Sequence, residues 1–320
     1  MSTPKKVFIT GATGYIGRVV TEQAVQAGHT VRALSRRETG DELLKGLGAT
    51  PVRGTLTDFP VLVRESQAAD IILHLAFDHD WSKPYEQHLK LEKDAIDALA
   101  GALIGTDKPL VTTSGTAIVA PDPAGGETDE TSPLPEKPII PRHLAEEHTL
   151  AYAKQGVRVT VIRLPQYVYG RQTTHGFAAE LIKLAAKSGE SLYVGDGEYC
   201  ASNIYVDDAA SLYLLVAEHG KAGEVFNGTG NTDTTYKALA GAIGKVLAVP
   251  VKSISEEVAQ DKWGSFLSAF VTVRNRASNR KAIERLGWKP VGPSLLEELE
   301  SGSYVPVAEK FKKEAAIGNL

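Results

Sequence analysis

Three glycines at short, fixed intervals are the residues in this chain whose spacing most clearly suggests chemistry. Gly11, Gly14 and Gly17 lie between an apolar β-type run at 7–10 and a segment with helical spacing at 15–27. The first permits a tight turn, the second lets the backbone approach a pyrophosphate, and the third lets helix and strand pack closely. Free N–H groups at the helix start favour a bound phosphate. The pattern predicts a dinucleotide-binding turn; the alternative is a glycine-rich turn that binds nothing.

The residues that end the next predicted strand bear on which dinucleotide binds. A site for NAD usually has an acid about 20 residues after the glycines, where it holds the ribose 2′-OH. This chain has Ser35-Arg36-Arg37 there, and no carboxylate before Glu38. Guanidinium groups offer planar, bidentate donors that suit a 2′-phosphate. We therefore expect NADP(H); the alternative is a solvated surface turn.

The elements that must position these residues alternate between two types. Apolar, strand-like runs lie at 30–35, 71–77, 109–115 and 157–165, and a helical segment at 142–154 precedes the last of them. Near-continuous apolar strands that alternate with helices indicate a parallel sheet covered on both faces. The sequence therefore predicts an α/β fold with a doubly wound parallel (Rossmann) sheet.

The alternation of apolar strands and helices becomes less regular after residue 170, which indicates a second structural unit. We expect a nucleotide-binding domain at 1–170, whose last strand and helices extend into the second half. Residues 171–305 then form mainly a smaller α/β substrate-binding lobe, because helical segments there interleave with short strands. Residues 306–320 are expected to be a polar helix or a loose tail. The loop at 121–138, rich in Pro, Gly and acids, is expected near the site.

Composition narrows the class of protein. The chain has 320 residues, a net charge of −4 and a pI near 6.1, so no basic surface points to nucleic acid or anionic membrane. No apolar run approaches the roughly 20 residues that span a bilayer, and no signal-peptide core precedes the first strand. Cys200 is the only cysteine and the His residues form no metal-type cluster. We expect a soluble cytoplasmic protein with a small-molecule substrate and no metal.

Five further stretches, together with the glycine motif, resemble the extended short-chain dehydrogenase/reductase superfamily over nearly the whole chain. They are HLAF (74–77), TTSG (112–115), RLPQYVYG (163–170), VDDAA (206–210) and LGWKP (286–290). The chain looks most like the atypical, NAD(P)-dependent epimerase/dehydratase-like branch, in which basic residues replace the usual Tyr-x-x-x-Lys pair. The resemblance implies a nicotinamide cofactor and a small-molecule substrate, and homodimers are common in the family.

The resemblance also implies which residues hold the cofactor. Ala76 and Phe77 would line it, and the segment from Pro165 to Val168 would pass beside the nicotinamide amide. Thr55 departs from the family pattern, which usually has an Asp near the adenine at this position. The predicted cofactor-binding residues are Thr10, Gly11, Gly14, Tyr15, Ile16, Gly17, Ser35, Arg36, Arg37, Leu56, Leu75, Ala76, Phe77, Arg142, Pro165 and Val168.

The catalytic residues of the family are only partly present. Ser114 stands where a Ser or Thr after the fifth strand binds the substrate oxygen. The family then has a Tyr that exchanges the proton, a Lys one helical turn later on the same face, and commonly an acid beyond it. With Glu146 as the acid, Arg142 takes the Lys position and Pro138 the Tyr position. The His that the atypical branch typically carries at that Tyr position is also missing.

A second alignment, with Glu147 as the acid, gives His143 and Ile139 instead. The Arg142–Glu146 spacing and the HDW that follows HLAF support the resemblance to the atypical branch. An arginine side chain stays protonated near neutral pH, so Arg142 cannot donate a proton there. It would hold the cofactor or polarise a substrate carbonyl; the alternative is an ion pair with Glu146. His143 can titrate usefully, or it pairs with Glu147.

The proton must then come from a loop. His79 lies between Asp78 and Asp80 directly after the fourth strand, and a histidine oriented by a carboxylate can act as acid or base. The alternative is an ordinary charged loop. Tyr167 can reach the substrate from the far side of the cleft, or it packs as an aromatic side chain. The predicted catalytic residues are Ser114, His79, Arg142 and Tyr167, with water as another proton source.

Residues of both halves are predicted to contact the substrate. His175 precedes a helix whose N-terminus can bind an oxygen-rich group, or it only starts that helix. Around Cys200 the atypical branch carries Arg and His, whereas this chain is uncharged, which indicates a fairly apolar substrate. Trp263 shares helical spacing with Phe266 and Phe270, as a pocket wall or as core. The predicted substrate residues are Asp80, Trp81, Tyr169, His175, Cys200 and Trp263.

These features together predict an enzyme. The best interpretation is an NADP(H)-dependent oxidoreductase that transfers hydride to or from a carbonyl, imine or activated alkene of a small, fairly apolar molecule. A second hypothesis is an NADP(H)-binding sensor without turnover, as in NmrA-like regulators, which the missing Tyr and Lys favour. A third is a redox-neutral isomerase, cyclase or dehydratase. The retained Ser114 and the histidine-bearing loops favour an enzyme.

Overall fold

Strands and helices alternate along most of the chain, as the spacing of the apolar residues predicts. The computed structural model describes residues 3–80 and 82–318. In chain order the strands are β1 (Lys6–Thr10), β2 (Thr30–Ser35), β3 (Thr50–Arg53), β4 (Ile71–His74), β5 (Pro109–Gly115), β6 (Arg158–Leu164), β7 (Tyr167–Tyr169), β8 (Ser191–Val194), β9 (Cys200–Tyr205), β10 (Glu224–Asn227), β11 (Asn231–Thr235) and β12 (Val251–Ile254).

Helices flank these strands throughout. They are α1 (Tyr15–Gln26), α2 (Glu38–Gly46), α3 (Phe59–Ala68), α4 (Tyr85–Gly101), α5 (His143–Ala151), α6 (Phe177–Ser188), α7 (Val206–His219), α8 (Tyr236–Leu247), α9 (Glu256–Phe270), α10 (Arg280–Leu286), α11 (Leu295–Glu300) and α12 (Val305–Ala316). Within residues 3–80 and 82–318, none of them has both the length and the apolar content needed to cross a membrane.

A parallel sheet forms the centre of the molecule. Among the described residues it has seven strands in the order β10-β6-β5-β4-β1-β2-β3. Ile9, Leu73 and Val111 on its inner strands are fully buried, because helices cover both faces. The strand order changes direction between β1 and β4, and ligands of such sheets bind at this point, outside the carboxyl ends of the strands. The predicted doubly wound fold is confirmed.

The C-terminal half builds a smaller lobe. Two short sheets, β11-β9-β7 and β12-β8, accompany α6, α8 and α12, whose shared core contains Ile182, Leu239 and Phe311. This confirms the predicted smaller α/β lobe. The segment expected as a polar helix or a loose tail is mostly helix α12, and its Phe311 is buried. β10 returns to the main sheet, while domain boundaries at residues 170 and 305 stay a prediction.

A buried ion pair joins α5 to the sheet. Arg163 on β6 donates to Glu146 on α5, with 2.6 Å between Nη2 and Oε1 and 3.1 Å between Nε and Oε2. A further bond from Nη1 reaches the carbonyl of Glu130 at 3.2 Å. Both side chains of the pair are less than a tenth exposed. Each charge therefore depends on the other for its compensation in a site that excludes water.

Glu146→Gln should lower the free energy of unfolding by about 3 kcal/mol, because it leaves the Arg163 charge buried without a carboxylate. Glu147→Gln removes the same charge at an exposed neighbour and should change stability by less than about 0.5 kcal/mol. Urea unfolding followed by circular dichroism measures both. Equal losses in the two variants would contradict this account of the ion pair.

Candidate cofactor and active site

The glycine turn has the shape that a dinucleotide requires. Gly11 has a φ of +78°, and a Cβ there would lie 2.6 Å from the Ala76 nitrogen. A Cβ on Gly17 would lie 2.1 Å from the Gly11 oxygen, so only glycine allows α1 to approach so closely. Helix α1 begins after Gly14 without a side-chain cap. Its first N–H groups are thus available to an anion, which fits the diphosphate of a dinucleotide.

The carboxyl ends of β1 and β4 are held together beside this turn. The Thr10 hydroxyl lies 2.7 Å from His74 Nδ1 and accepts a longer bond, 3.4 Å, from the Ala76 nitrogen. The Leu75 N–H donates to the Thr10 carbonyl at 3.1 Å. Burial and the nearby Arg142 charge lower the pKa of His74 to about 4. His74 is therefore neutral at physiological pH and serves as a fixed hydrogen-bonding group.

The start of α1 also contacts the segment after β6. The Tyr15 hydroxyl donates to the Gly170 carbonyl at 2.8 Å, which ties α1 to the loop that follows β7. Ile16 and Val168 pack against the same core cluster, and Pro165 is buried. These four predicted cofactor residues thus gather at one edge of the sheet, although the Tyr15 hydroxyl is already used by the protein itself.

The end of β2 offers positive charge without partners. Ser35 is buried, and its hydroxyl donates to the Arg37 carbonyl at 3.0 Å. The side chains of Arg36 and Arg37 are both exposed, and neither has a hydrogen bond or ion pair among residues 3–80 and 82–318. Two free guanidinium groups at this position fit a 2′-phosphate on the adenosine ribose.

A carboxylate does approach the place where the family usually has an Asp. Asp58 accepts bonds from the Thr55 N–H at 2.6 Å and from the Thr55 hydroxyl at 2.8 Å. These bonds lower the pKa of Asp58. Leu56 packs against the core beneath α3 and α4. Asp58 thus brings a carboxylate next to Thr55.

Ser114 presents a hydroxyl that the protein leaves unused. Its Oγ is buried and has no hydrogen bond to any described residue. The adjacent Thr113 hydroxyl, by contrast, donates to the His74 carbonyl at 3.0 Å and lies 2.7 Å from the Tyr213 hydroxyl. Buried hydroxyls are normally satisfied, so an orphan at the carboxyl end of β5 marks a place for a ligand oxygen.

Arg142 lies beside Ser114 and is held from three sides. Its guanidinium donates twice to Glu92 on α4, at 2.9 and 3.0 Å, and once to the Thr113 carbonyl at 2.8 Å. It also lies over the Phe77 ring, 4.7 Å from the centroid. The alternative of an ion pair between Arg142 and Glu146 is wrong, because each residue pairs with another element. Arg142 thus joins β5, α4 and the loop after β4.

His143 is the first residue of α5 and lies partly buried. Its Nδ1 is buried and has no hydrogen bond within the described part of the chain. The alternative in which it pairs with Glu147 is not formed, since Glu147 is exposed and no ion pair joins the two. The helix therefore starts at the Lys position of the second alignment, and Ile139 and Pro138 both lie before it.

The loop after β4 brings His79 to the same edge. Its ring centroid is 5.2 Å from that of Phe77, the ring under Arg142. Although His79 is exposed, partial desolvation and the Arg142 charge lower its pKa more than Asp78 raises it. Lys83 binds Asp78 at 2.8 Å and Asp80 at 3.2 Å, so these acids have a cation of their own. Trp81, a predicted substrate residue, lies outside the described residues.

The two tyrosines after β6 are packed within the smaller lobe. Tyr167 is 1% exposed, its ring meets Phe177 edge-on at 6.4 Å, and burial raises its pKa well above the usual range. Its hydroxyl has no hydrogen bond in the parts of the chain described. The Tyr169 hydroxyl donates to the Pro293 carbonyl at 2.7 Å. The structure thus gives Tyr169 a bond within the protein, and it places Tyr167 in a core.

The remaining predicted substrate residues do not converge on one site. His175 is exposed just before α6. Cys200 borders a cavity of about 350 Å³ that Arg274 and Arg276 also line, so the chain does carry positive charge there, from a distant segment. Trp263 lines a separate cavity of about 250 Å³.

The aromatic stripe predicted on one helix is interrupted. Gly264, with a φ of +76°, kinks α9 directly after Trp263. Beyond the kink, Phe270 stacks on Phe177 with 3.8 Å between centroids and also stacks on Phe266. A single helical face from Trp263 to Phe270 is therefore wrong, because the sequence period continues through a residue whose backbone leaves the helix.

Glu92 and His74 belong to this site, although neither was predicted as a site residue from the sequence. Glu92 was hidden because acids on helices usually face solvent. The signal was present: the buried positions of α4 recur as His88, Glu92, Ala95, Ile96 and Leu99. An acid among the buried positions of a helix must be paired or protonated. Glu92 could therefore have been predicted to pair with a buried cation.

Several known proteins are similar to this chain in sequence or in fold. The model of the NAD dependent epimerase/dehydratase family matches residues 7–227. An uncharacterized protein of Schizosaccharomyces pombe is 40% identical over 299 residues, 93% of this chain and 99% of that one. A 4-hydroxy-2-methyl-3-oxo-4-farnesyl-3,4-dihydroquinoline-1-oxide ketoreductase of Stigmatella aurantiaca is 30% identical over 225 residues, 69% and 67% of the two chains. MoeE5 in complex with UDP-glucose and NAD shares the fold, with a TM-score of 0.73 over 95% and 99% of the chains at 21% identity.

Arg142→Met should destabilise the fold by about 3 kcal/mol near neutral pH, because Glu92 stays buried without its cation. Burial raises the pKa of Glu92 and Arg142 lowers it. Without Arg142 the folded state favours the protonated carboxyl, so stability is kept at low pH and lost as pH rises. Urea unfolding at several pH values measures this slope.

The double variant Arg142→Met with Glu92→Met removes both charges and is the control. It should recover most of the stability and lose the pH slope, since a buried pair can be replaced by apolar side chains. A double variant as unstable as Arg142→Met, with the same slope, would contradict the role given to Glu92.

Proposed function

The chain belongs to the NAD-dependent epimerase/dehydratase family, and we propose that it is an NADP(H)-dependent oxidoreductase. The proposed reaction transfers hydride to or from a carbonyl, imine or activated alkene of a small, fairly apolar organic molecule. The observation that carries the proposal is the buried, unpartnered hydroxyl of Ser114 next to the fixed charge of Arg142. A polar pair of this kind, at the edge where the glycine turn opens, suits a substrate oxygen that gains negative charge during reduction.

The preference for NADP(H) rests on the exposed guanidinium groups of Arg36 and Arg37. A 2′-phosphate would receive charge-assisted bonds from both, whereas the ribose hydroxyl of NAD has no acid at the end of β2. The glycine turn and the free start of α1 would hold the diphosphate. When bound, the cofactor supplies or accepts hydride at its nicotinamide ring.

The remaining residues have distinct proposed roles. Ser114 would bind the substrate oxygen, and Arg142 would stabilise negative charge at the site while its contacts fix Phe77 and the end of β5. His79 would exchange protons with solvent at the mouth of the site. Its lowered pKa keeps the ring neutral near neutral pH, so His79 suits accepting a proton. The ketoreductase at 30% identity supports a carbonyl as the reacting group.

Two other functions would use the same cofactor site. A sensor without turnover is favoured by the start of α5 at His143, which leaves no Tyr and Lys on that helix. A redox-neutral isomerase, cyclase or dehydratase is compatible with the family. Incubating the protein with NADPH and a panel of ketones, aldehydes, imines and enones separates the three. Tight NADPH binding without oxidation across the panel would overturn the oxidoreductase proposal.

The double variant Arg36→Ala with Arg37→Ala should weaken NADPH binding by about 10- to 100-fold, since it removes charge-assisted hydrogen bonds. Affinity for NADH should stay the same. Fluorescence titration of both cofactors measures the change, with Lys45→Ala, an exposed cation near the end of α2, as control. If NADPH and NADH affinities fall together, the 2′-phosphate is not recognised by these arginines.

Ser114→Ala should lower kcat for carbonyl reduction by about 100-fold, because it removes a donor to the developing oxyanion. The thermal midpoint should be unchanged or higher, since the hydroxyl has no partner in the protein. Steady-state kinetics and thermal unfolding of the same preparation measure both. Full activity in this variant would remove Ser114 from the reaction.

A further inference from the structure

Helix α5 offers no tyrosine, and the hydroxyl of its Thr149 donates to the Ala145 carbonyl at 2.9 Å. α5 begins at His143, and Pro138 lies outside any helix. The residues of the α5 start are Arg142, which is held in an ion pair, and His143. Another element that reaches Arg142 offers a further source of the proton for the oxygen bound by Ser114.

Helix α4 reaches Arg142 with one face. Glu92 binds the guanidinium directly, and Tyr85 lies seven residues earlier, which is two turns along the same side. His88 lies between them and is buried, with its ring 6.3 Å from that of Tyr85 and 5.7 Å from that of Phe77. Arg142 covers the Phe77 ring. The ring contacts of His88 therefore connect Tyr85, through Phe77, to Arg142. Tyr85 is the first residue of α4, near the carboxyl edge of the sheet.

The Tyr85 hydroxyl is a second oxygen at this site. It is buried and lies within hydrogen-bonding reach of the Arg142 guanidinium. Burial raises the pKa of Tyr85, the Arg142 charge lowers it, Glu92 raises it, and the hydrogen bond with Arg142 lowers it. Ser114 and Tyr85 are thus two buried hydroxyls near one guanidinium, and that of Ser114 has no partner among the described residues. A buried hydroxyl without a partner destabilises a fold unless a ligand satisfies it.

We propose that Tyr85 is a catalytic residue that donates the proton to the substrate oxygen held by Ser114, with Arg142 stabilising the phenolate. The inference rests on the proposed oxidoreductase function. In the reduction, the carbonyl carbon gains a hydride from NADPH and the C–O π bond breaks. The oxygen takes the Tyr85 proton, and water returns a proton to the phenolate. The products are an alcohol and NADP⁺, so electrons and protons balance.

Other proton donors fit the geometry less well. Tyr167 is packed in the core of the smaller lobe against Phe177. His79 is neutral near neutral pH and has no second proton to give. Tyr213 already meets the Thr113 hydroxyl at 2.7 Å. Among these four residues, Tyr85 is the one whose side chain forms a hydrogen bond with the Arg142 guanidinium.

The test is Tyr85→Phe, compared with wild type for the carbonyl that NADPH reduces fastest in the panel. We expect kcat to fall by about 100-fold or more, the loss typical of a missing general acid. NADPH affinity, measured by fluorescence titration without substrate, should be unchanged. The thermal midpoint should change little, because Arg142 keeps its bonds to Glu92 and to the Thr113 carbonyl in this variant.

Tyr304→Phe is the matched control. The Tyr304 hydroxyl is also buried, but it lies in the core of the smaller lobe, near the Gly170 backbone. This variant should keep full activity.

An active wild type with an equally active Tyr85→Phe would overturn the inference and leave the oxidoreductase function intact. A lower thermal midpoint with unchanged kcat would make Tyr85 structural. A wild type that binds NADPH but reduces nothing would overturn the function, and the inference with it.

Discussion

The buried ion pair between Arg142 and Glu92 is the interaction on which the site depends. It joins α4 to the start of α5, and through the Thr113 carbonyl and the Phe77 ring it also fixes β5 and the loop after β4. Removing one partner alone would leave a charge buried, so the pair holds these elements in one arrangement. Ser114 and Tyr85 then lie beside a guanidinium whose position is set by its own partners.

Among the described residues, buried arginines in ion pairs and exposed arginines without partners have different roles. Arg142 and Arg163 are buried and paired with Glu92 and Glu146, and they link helices to the sheet. Arg36 and Arg37 are exposed and have no partner within the described residues. The hydroxyls divide in the same way: Thr113 is satisfied internally, whereas Ser114 is not. Groups that the fold satisfies hold its elements together, and groups that it leaves open are those proposed to bind cofactor and substrate.

The fold was predictable because its signals are local. Apolar strands, helical spacing and the glycine turn each depend on neighbours in the chain, so the doubly wound sheet and the glycine geometry followed from the sequence. The partner of Arg142 did not, because Glu92 lies fifty residues away and the nearer Glu146 has helical spacing. The predicted aromatic stripe was also wrong, because Gly264 interrupts the helix on which its regular spacing depends.

The distance between segments along the chain also explains why the sequence did not point to Tyr85, the proposed proton donor. Helix α5 itself contains no tyrosine, and a family's catalytic residues are located in a sequence by their order along the chain. Tyr85 precedes α5 by more than fifty residues and meets Arg142 only through the packing of α4 on α5. Contacts that bring distant segments together were thus the part of the site that required the structure.

Transfer of deuterium tests the central claim most directly. The protein would react with a carbonyl and NADPH labelled with deuterium on both faces of nicotinamide C4, and mass spectrometry would locate the label. The account predicts an alcohol with one deuterium on the carbon that was the carbonyl. Recovery of the labelled NADPH unchanged, or a product without deuterium, would contradict it.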